Sequence, residues 1–467
     1  MGSTDPQATA GPVAELSALL EAKARSFVRE RRLPGVAVGV VHRGELVWSS
    51  GVGFADVTAG RPAEATTLYR IASITKTFTG TAIMQLRDEG KLHLDDPAVT
   101  YLPELRDAVS PFGTVETVTI RRMLSHESGL MGDPPGTDWS GPVYEPDPVV
   151  NLGRVGEIAT SIPPNDQQKY SNLAYQLLGE IVARVSGVPY AEYVRTQILE
   201  PLQLSGTSHD PLSADLASRR AIGYGPRAFS DELRESVAAP SCPAEGGLWS
   251  CVEDMARWVA FQMREDGGPR DGAQVLAGTT LAEMHRPRYL GDEAWTEAWG
   301  ISWYAHRRGE VIWVQHSGGL HGFTTNVCFD PKEHVGAIAL VNGDTAPGEL
   351  AMDLASLARD AILAAPEPIT RPAPLPEAWR ELLGLYADGD YYQTLRLEWR
   401  DGKLTFVDHG EETWRPTLQP TTDPDRFVIE RGVRESGEAC EFERTGDGRV
   451  RSVRLASTVF RRLDAVE

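Results

Sequence analysis

The chain has 467 residues, too many for one ordinary domain, and its 41% apolar and 24% charged residues are globular values. Its 66 acidic against 46 basic residues leave a formal charge of −20. A surface that acidic repels phosphate backbones and anionic lipid, which sets aside nucleic-acid binding and polybasic membrane attachment. No apolar run approaches the roughly 18 residues of a membrane helix. Residues 1–12 show neither a basic start nor an apolar h-region, so a cytoplasmic protein without a membrane span is expected, exported only if a signal has been removed. The four cysteines, Cys242, Cys251, Cys328 and Cys440, are too few for a disulfide framework. Cys242 and Cys251 could bridge a loop; unpaired buried thiols are the simpler reading.

In chain order, residues 13–32 repeat Val13, Leu16, Leu20, Ala24 and Phe27 at helical spacing, and Pro34-Gly35 stops that helix. GVAVGVV and ELVWSS read as two strands joined across Arg43-Gly44. Residues 70–90 return to a helix, and from about 95 to 300 the signals are mainly helices and loops, with Pro-rich stretches around 133–148 and 161–164. Near 300 the period changes: VIWVQH, FTTNVCF and VGAIALV form an antiparallel meander, followed by a helix over 349–363. These elements give a first domain over 13–365. Residues 366–378 carry five prolines and read as a semi-rigid linker. From 379 to 467 almost every signal is a strand, with Asp401-Gly402 and Asp447-Gly448 as hairpin turns, so a separate antiparallel, barrel-like β module is expected.

Three clusters carry chemistry. Ser73-Ile74-Thr75-Lys76 sits near a helix start, where a three-residue offset puts both side chains on one face. A serine hydroxyl becomes a good nucleophile when a neighbour takes its proton, and lysine can do so where burial or positive surroundings disfavour its charge. The chain has six lysines, and Lys76 alone has a serine three residues before it. It also lies in an otherwise uncharged stretch, Ile71–Leu86, unlike a solvated helix face. The second cluster is Tyr170-Ser171-Asn172, ahead of an apolar-periodic helix. Ser171 or Asn172 could simply cap that helix; alternatively a phenol relays a proton and an amide holds a substrate carbonyl. The third is His316-Ser317-Gly318-Gly319, at the end of the strand VIWVQ. It is either a glycine turn beside ordinary histidines, His321 included, or a strand edge for substrate. In the second case the Gly319 N–H would pair with that of Ser73 as an oxyanion hole. No histidine spacing suits a metal, His126, His316 and His321 included, and no cofactor is implied.

In order, then, the chain offers Ser-x-x-Lys, Tyr-x-Asn and His-x-Gly. Together with GKLHLDDPAVTYLPEL and IRRMLSHESGL, these resemble the class C β-lactamase, DD-peptidase and esterase family of serine hydrolases over roughly 13–365. The resemblance implies an α/β (α+β) fold, an antiparallel sheet flanked by helices with an all-helical insert. It also implies Ser73 as acylated nucleophile, Lys76 as its base partner, Tyr170 as proton relay and Asn172 as carbonyl ligand. His316, Ser317 and Gly318 would contact substrate, and Ser73 and Gly319 would supply the oxyanion donors. The family's β-lactamases usually carry Lys-Thr-Gly where this chain has His316-Ser317-Gly318. A largely neutral histidine does not replace that fixed cation, so esters, amides or peptides are expected ahead of β-lactams. The C-terminal module, with Gly384-Leu385-Tyr386 at its start, resembles the lipocalin-like domain of some members; a packing or oligomerisation module is the plain alternative. The expected function is an acyl-enzyme hydrolase of small-molecule or peptide substrates, with homo-oligomerisation left open. The rivals are a class C-type β-lactamase or penicillin-binding protein, an acyltransferase or peptide-cyclising thioesterase, and a peptide or peptidoglycan sensor that acylates without turnover.

Overall fold

A computed structural model describes residues 13, 16–138, 144–225, 233–236, 241–264, 275–364, 374–388, 394–400, 402–408, 416–430 and 435–463. Residues 1–12, part of the Pro-rich stretch at 139–143, linker residues 366–373 and Asp401 of the first hairpin turn lie outside them. The chain divides into two compact units, one up to Ala365 and one from Pro366 onward.

The first unit comprises helix α1 (Ser17–Glu30), strands β1 (Gly35–His42) and β2 (Glu45–Asp56), and helices α2 (Thr75–Asp88), α3 (Asn172–Ser186) and α4 (Val252–Gln262). Strands β3 (Tyr304–Arg308), β4 (Val311–Leu320), β5 (Phe323–Asp330) and β6 (Val335–Val341) and helix α5 (Gly348–Ala364) follow, among shorter elements. The main sheet has nine strands in the order Arg61–Pro62, β2, β1, β6, β5, β4, β3, Glu297–Trp299, Tyr289–Leu290. β1 and β6 are apolar throughout because both faces are covered. Val36, Val38 and Val40 of β1, with Val335, Ala337 and Ala339 of β6, pack with Leu20 and Ala24 of α1 and Leu350, Leu354 and Ala358 of α5. The alternate residues, Ala37, Val41, Ile338 and Leu340, face a second core shared with α2, α3 and α4. Each fully buried valine, leucine or isoleucine among them contributes about 1.5–3 kcal/mol over its exposed state.

Two expectations are corrected here. The helix read over 70–90 is shorter: Tyr69–Arg70 is a strand and Ala72–Ile74 a 3₁₀ turn before α2. Tyr69 and Arg70 pair with Ser250 and Trp249, which ties the approach to the helix into a small separate sheet. The strand read as ending at Gln315 continues to Leu320. Ser317, Gly318 and Gly319 pair with Asn326, Thr325 and Thr324 of β5, so the two glycines belong to the sheet rather than a turn.

In the second unit a 3₁₀ helix, Glu377–Leu382, leads into a closed eight-stranded barrel. Its strands are β7 (Gly384–Ala387), β8 (Thr394–Arg400), β9 (Lys403–Asp408), β10 (Thr417–Pro420), β11 (Arg426–Ile429), β12 (Ala439–Arg444), β13 (Val450–Leu455) and β14 (Thr458–Arg462). Pairing of β7 with β14 closes it and removes the exposed edges. Phe406, Phe427, Phe442 and Tyr386 fill the interior, and the Tyr386 hydroxyl donates to the Leu382 carbonyl at 2.6 Å. Among the described residues no helix is long and apolar enough to cross a membrane. All four cysteines are free and buried.

Candidate active site

Ser73 lies in the 3₁₀ turn that precedes α2. Its neighbour Ala72 has φ +46°, a left-handed conformation that a non-glycine residue keeps only when its surroundings hold it there. They do so through Ile71, whose N–H donates to the Leu248 carbonyl at 3.0 Å and whose carbonyl accepts from Thr325 Oγ1 at 3.0 Å. Gly318 is pressed against the same carbonyl: a Cβ there would stand 2.1 Å from Ile71 O and 2.5 Å from Thr325 Oγ1. Absence of a side chain at 318 is therefore what lets β4 and β5 close on the serine turn.

At the second residue of α2, Lys76 is fully buried. Its Nζ donates to Ser73 Oγ at 3.1 Å and to the Glu245 carbonyl at 2.9 Å. It also lies 5.1 Å from the ring centre of Tyr170 and 5.6 Å from that of Tyr175, within the range where aromatic faces attract an ammonium. Tyr170-Ser171-Asn172 enters this centre at the start of α3. Ser171 caps the helix, accepting from the Ala174 N–H at 3.0 Å and donating to the Met131 carbonyl at 2.7 Å. The cap and the cavity thus use different residues of one tripeptide, with Asn172 held by Asp133 through Nδ2···Oδ1 at 2.7 Å.

Ser73, Lys76, Tyr170, Asn172 and Gly319 line one cavity of about 440 Å³. His316, Ser317 and Gly318 are not among its lining residues. The His316 ring is buried behind it, with Nδ1 2.6 Å from the Ser317 carbonyl. Burial, and next the charge of Lys76, push His316 down to about 3, so it presents no cation. The Ser317 hydroxyl is engaged with Tyr304.

Four residues of this region did not stand out in sequence. His126, at φ +60°, stacks on Tyr170 with ring centres 4.2 Å apart and accepts the Ser171 N–H on Nδ1 at 3.2 Å. Burial, then Lys76 and His316, hold it well below the ordinary histidine range. His321, Asp344 and Glu245 line the cavity. Glu245 is 4% exposed, and its Oε1 accepts from the Tyr144 hydroxyl while Oε2 is buried without a partner. Burial raises its carboxyl above the ordinary range, against the pull of Lys76. Tyr144 is held in turn by Gln176 at 2.7 Å and Gln176 by Asn151 at 2.8 Å. Among the described residues no group of three or more His, Cys, Asp or Glu could hold a metal ion.

The chain is similar over 331 residues to Protein flp of Staphylococcus aureus (strain N315), at 28% identity, covering 68% of this chain and 61% of that protein. It thus spans about six-tenths of the length of that relative. An uncharacterised Mycobacterium tuberculosis protein, MT1414, is 33% identical over 326 residues, 64% of this chain and 76% of its own. Among solved structures, the octameric penicillin-binding protein homologue from Pyrococcus abyssi superposes with a TM-score of 0.59 at 22% identity, covering 96% of this chain and 99% of that one. The class C β-lactamase from Rhodobacter sphaeroides gives 0.61 at 22% identity, covering 75% of this chain and all of its own. These structures share the fold. The Beta-lactamase family model matches residues 20–361, most of the chain, and the protein belongs to that family of serine hydrolases.

Proposed function

We propose that this protein hydrolyses ester or amide bonds through an acyl-enzyme on Ser73. The observation that carries the reading is the 3.1 Å hydrogen bond between Lys76 Nζ and Ser73 Oγ at the wall of an open cavity. Ser73 Oγ attacks the substrate carbonyl carbon as its proton passes to Lys76 and Tyr170. The carbonyl oxygen becomes an oxyanion between the backbone N–H groups of Ser73 and Gly319, while the Asn172 amide holds the carbonyl of the acyl group. The bond to the leaving oxygen or nitrogen then breaks and the leaving group takes the proton. Water repeats the attack on the ester of Ser73, releasing the acid and restoring the hydroxyl.

His316 takes in sequence the place of the lysine of the family's β-lactamases, and its ring is neutral and buried, which supports ester and amide substrates over β-lactams. Hydrolysis of a p-nitrophenyl ester by wild type and Ser73→Ala, with the acyl adduct located by peptide mass, tests the reading. Loss of nearly all activity in Ser73→Ala and an adduct on Ser73 are expected. Equal rates, or an adduct elsewhere, would overturn it.

A further inference from the structure

Glu245 joins α2 to α3 through its two ends. Its carbonyl accepts from Lys76 Nζ at 2.9 Å, and the carbonyl before it, that of Ala244, accepts from Thr79 Oγ1 on the same helix, α2. Its side chain runs the other way. Oε1 accepts from the Tyr144 hydroxyl, which accepts in turn from Gln176 Nε2 at 2.7 Å. Gln176 Oε1 accepts from Asn151 Nδ2 at 2.8 Å. Gln176 lies on α3 four residues beyond Asn172, so the helix that follows Tyr170 and begins at Asn172 also holds the far end of this chain.

The arrangement is costly if packing is its only purpose. Gln176 and Asn151 are fully buried, and Glu245 and Tyr144 nearly so. Glu245 Oε2 finds no hydrogen-bond partner, and an apolar side chain would fill the same space without that penalty. What the carboxyl adds is a directed bond, and that bond fixes the residue whose carbonyl is the Lys76 acceptor. The next residue, Gly246, has no side chain to hold the peptide plane between them. Without the Tyr144 hydroxyl the carboxyl would lose a donor while still buried, and its way out is the cavity that Glu245 already lines. Such a movement turns the carbonyl away from Lys76 and releases Nζ from its place 3.1 Å from Ser73 Oγ.

We propose that Gln176, Tyr144 and Glu245 are positioning residues for Lys76: they carry the placement of α3 across to the lysine, so that Lys76 and Tyr170 keep a common register about Ser73. This rests on the acyl-enzyme reading above.

The test uses three single variants. Tyr144→Phe deletes one oxygen, Glu245→Met removes the acceptor, and Glu245→Gln keeps an acceptor for Tyr144. For each, kcat/KM for a p-nitrophenyl ester and the rate at which a fluorophosphonate labels Ser73 are measured, with the unfolding midpoint on the same preparation. Tyr144→Phe and Glu245→Met should each lower both rates by about tenfold to 100-fold, the range for a displaced reacting group. Their double variant should fall no further than the slower single one, because both break one chain. Glu245→Gln should lose no more than about threefold, since the bond that sets the carbonyl is retained. If Glu245→Met does not fold, Tyr144→Phe, one atom smaller than wild type, decides. A wild-type rate in folded Tyr144→Phe or Glu245→Met, an equal loss in Glu245→Gln, or losses that multiply in the double variant would overturn the positioning chain alone. Failure of the fluorophosphonate to label Ser73 in wild type would instead overturn the hydrolase reading.

Discussion

Gly318→Ala offers a sharp test of how the sheet positions Ser73. The added Cβ would stand 2.1 Å from the Ile71 carbonyl oxygen, and reaching even a tight 3.0 Å contact requires a retreat of about 0.9 Å. Neither neighbour yields easily. Ile71 is tied to Leu248 and Thr325, and β4 is paired with β5 through Gly319 and beyond. The displacement therefore falls between Ile71 and Gly318, the very contact that sets Ser73, two residues on, against Gly319. A misplacement of about 1 Å at reacting groups costs roughly 100-fold in rate, while overpacking itself costs about 1–3 kcal/mol of stability. The assay is kcat/KM for a p-nitrophenyl ester, with Tm measured on the same preparations. Gly319→Ala is the control for stability alone, because a Cβ there meets nothing within 4 Å and enters the cavity; its Tm should not move. Wild-type kcat/KM in Gly318→Ala, or an equal loss of Tm in Gly319→Ala, would refute the reasoning.

Two further outcomes follow from the buried histidines. His126→Phe preserves a ring against Tyr170 but leaves the Ser171 N–H without its acceptor, so urea unfolding should lose about 1–3 kcal/mol; an unchanged midpoint would count against the contact. His126, His209, His285 and His316 are all lowered, chiefly by burial, with His209 at about 4 and His285 and His316 at about 3. For a lowered histidine the unfolded chain takes the proton first, so stability is full above about pH 6.5 and drains as pH falls toward 3, by up to about 1.4 kcal/mol per unit for each group. Stability measured between pH 6.5 and 4 should fall less steeply in His285→Gln than in wild type, and parallel curves would contradict the assignment.

The sheet was readable where a strand is long and buried on both faces. GVAVGVV and VGAIALV stand out as unbroken apolar runs, and the structure sends their alternate residues into two cores. Tyr69–Arg70, Ser208–His209 and Leu248–Ser250 were not readable, because two or three residues cannot display a period. They matter nonetheless: Tyr69 and Arg70 pair with Ser250 and Trp249 just before the serine turn, and Ile71 bonds back to Leu248.

The site divides along similar physical lines. Lys76 was conspicuous because Ile71–Leu86 holds no other charge, and the same filter applied to Ser241–Cys251 leaves Glu245 alone; that signal was present without a partner motif to draw attention to it. His126 carried no such signal, since its stacking on Tyr170 joins residues far apart in sequence. The third motif turns on strand parity. With the strand taken to end at Gln315, His316, Ser317 and Gly318 shared one expected role. Once β4 runs on to Leu320, successive side chains alternate faces. His316 and Gly318 then fall on the buried face, where the ring packs inward and the glycine admits Ile71, while Ser317 and Gly319 fall on the exposed one. Gly319 thereby reaches the cavity beside Ser73, while the buried His316 ring is not in its lining.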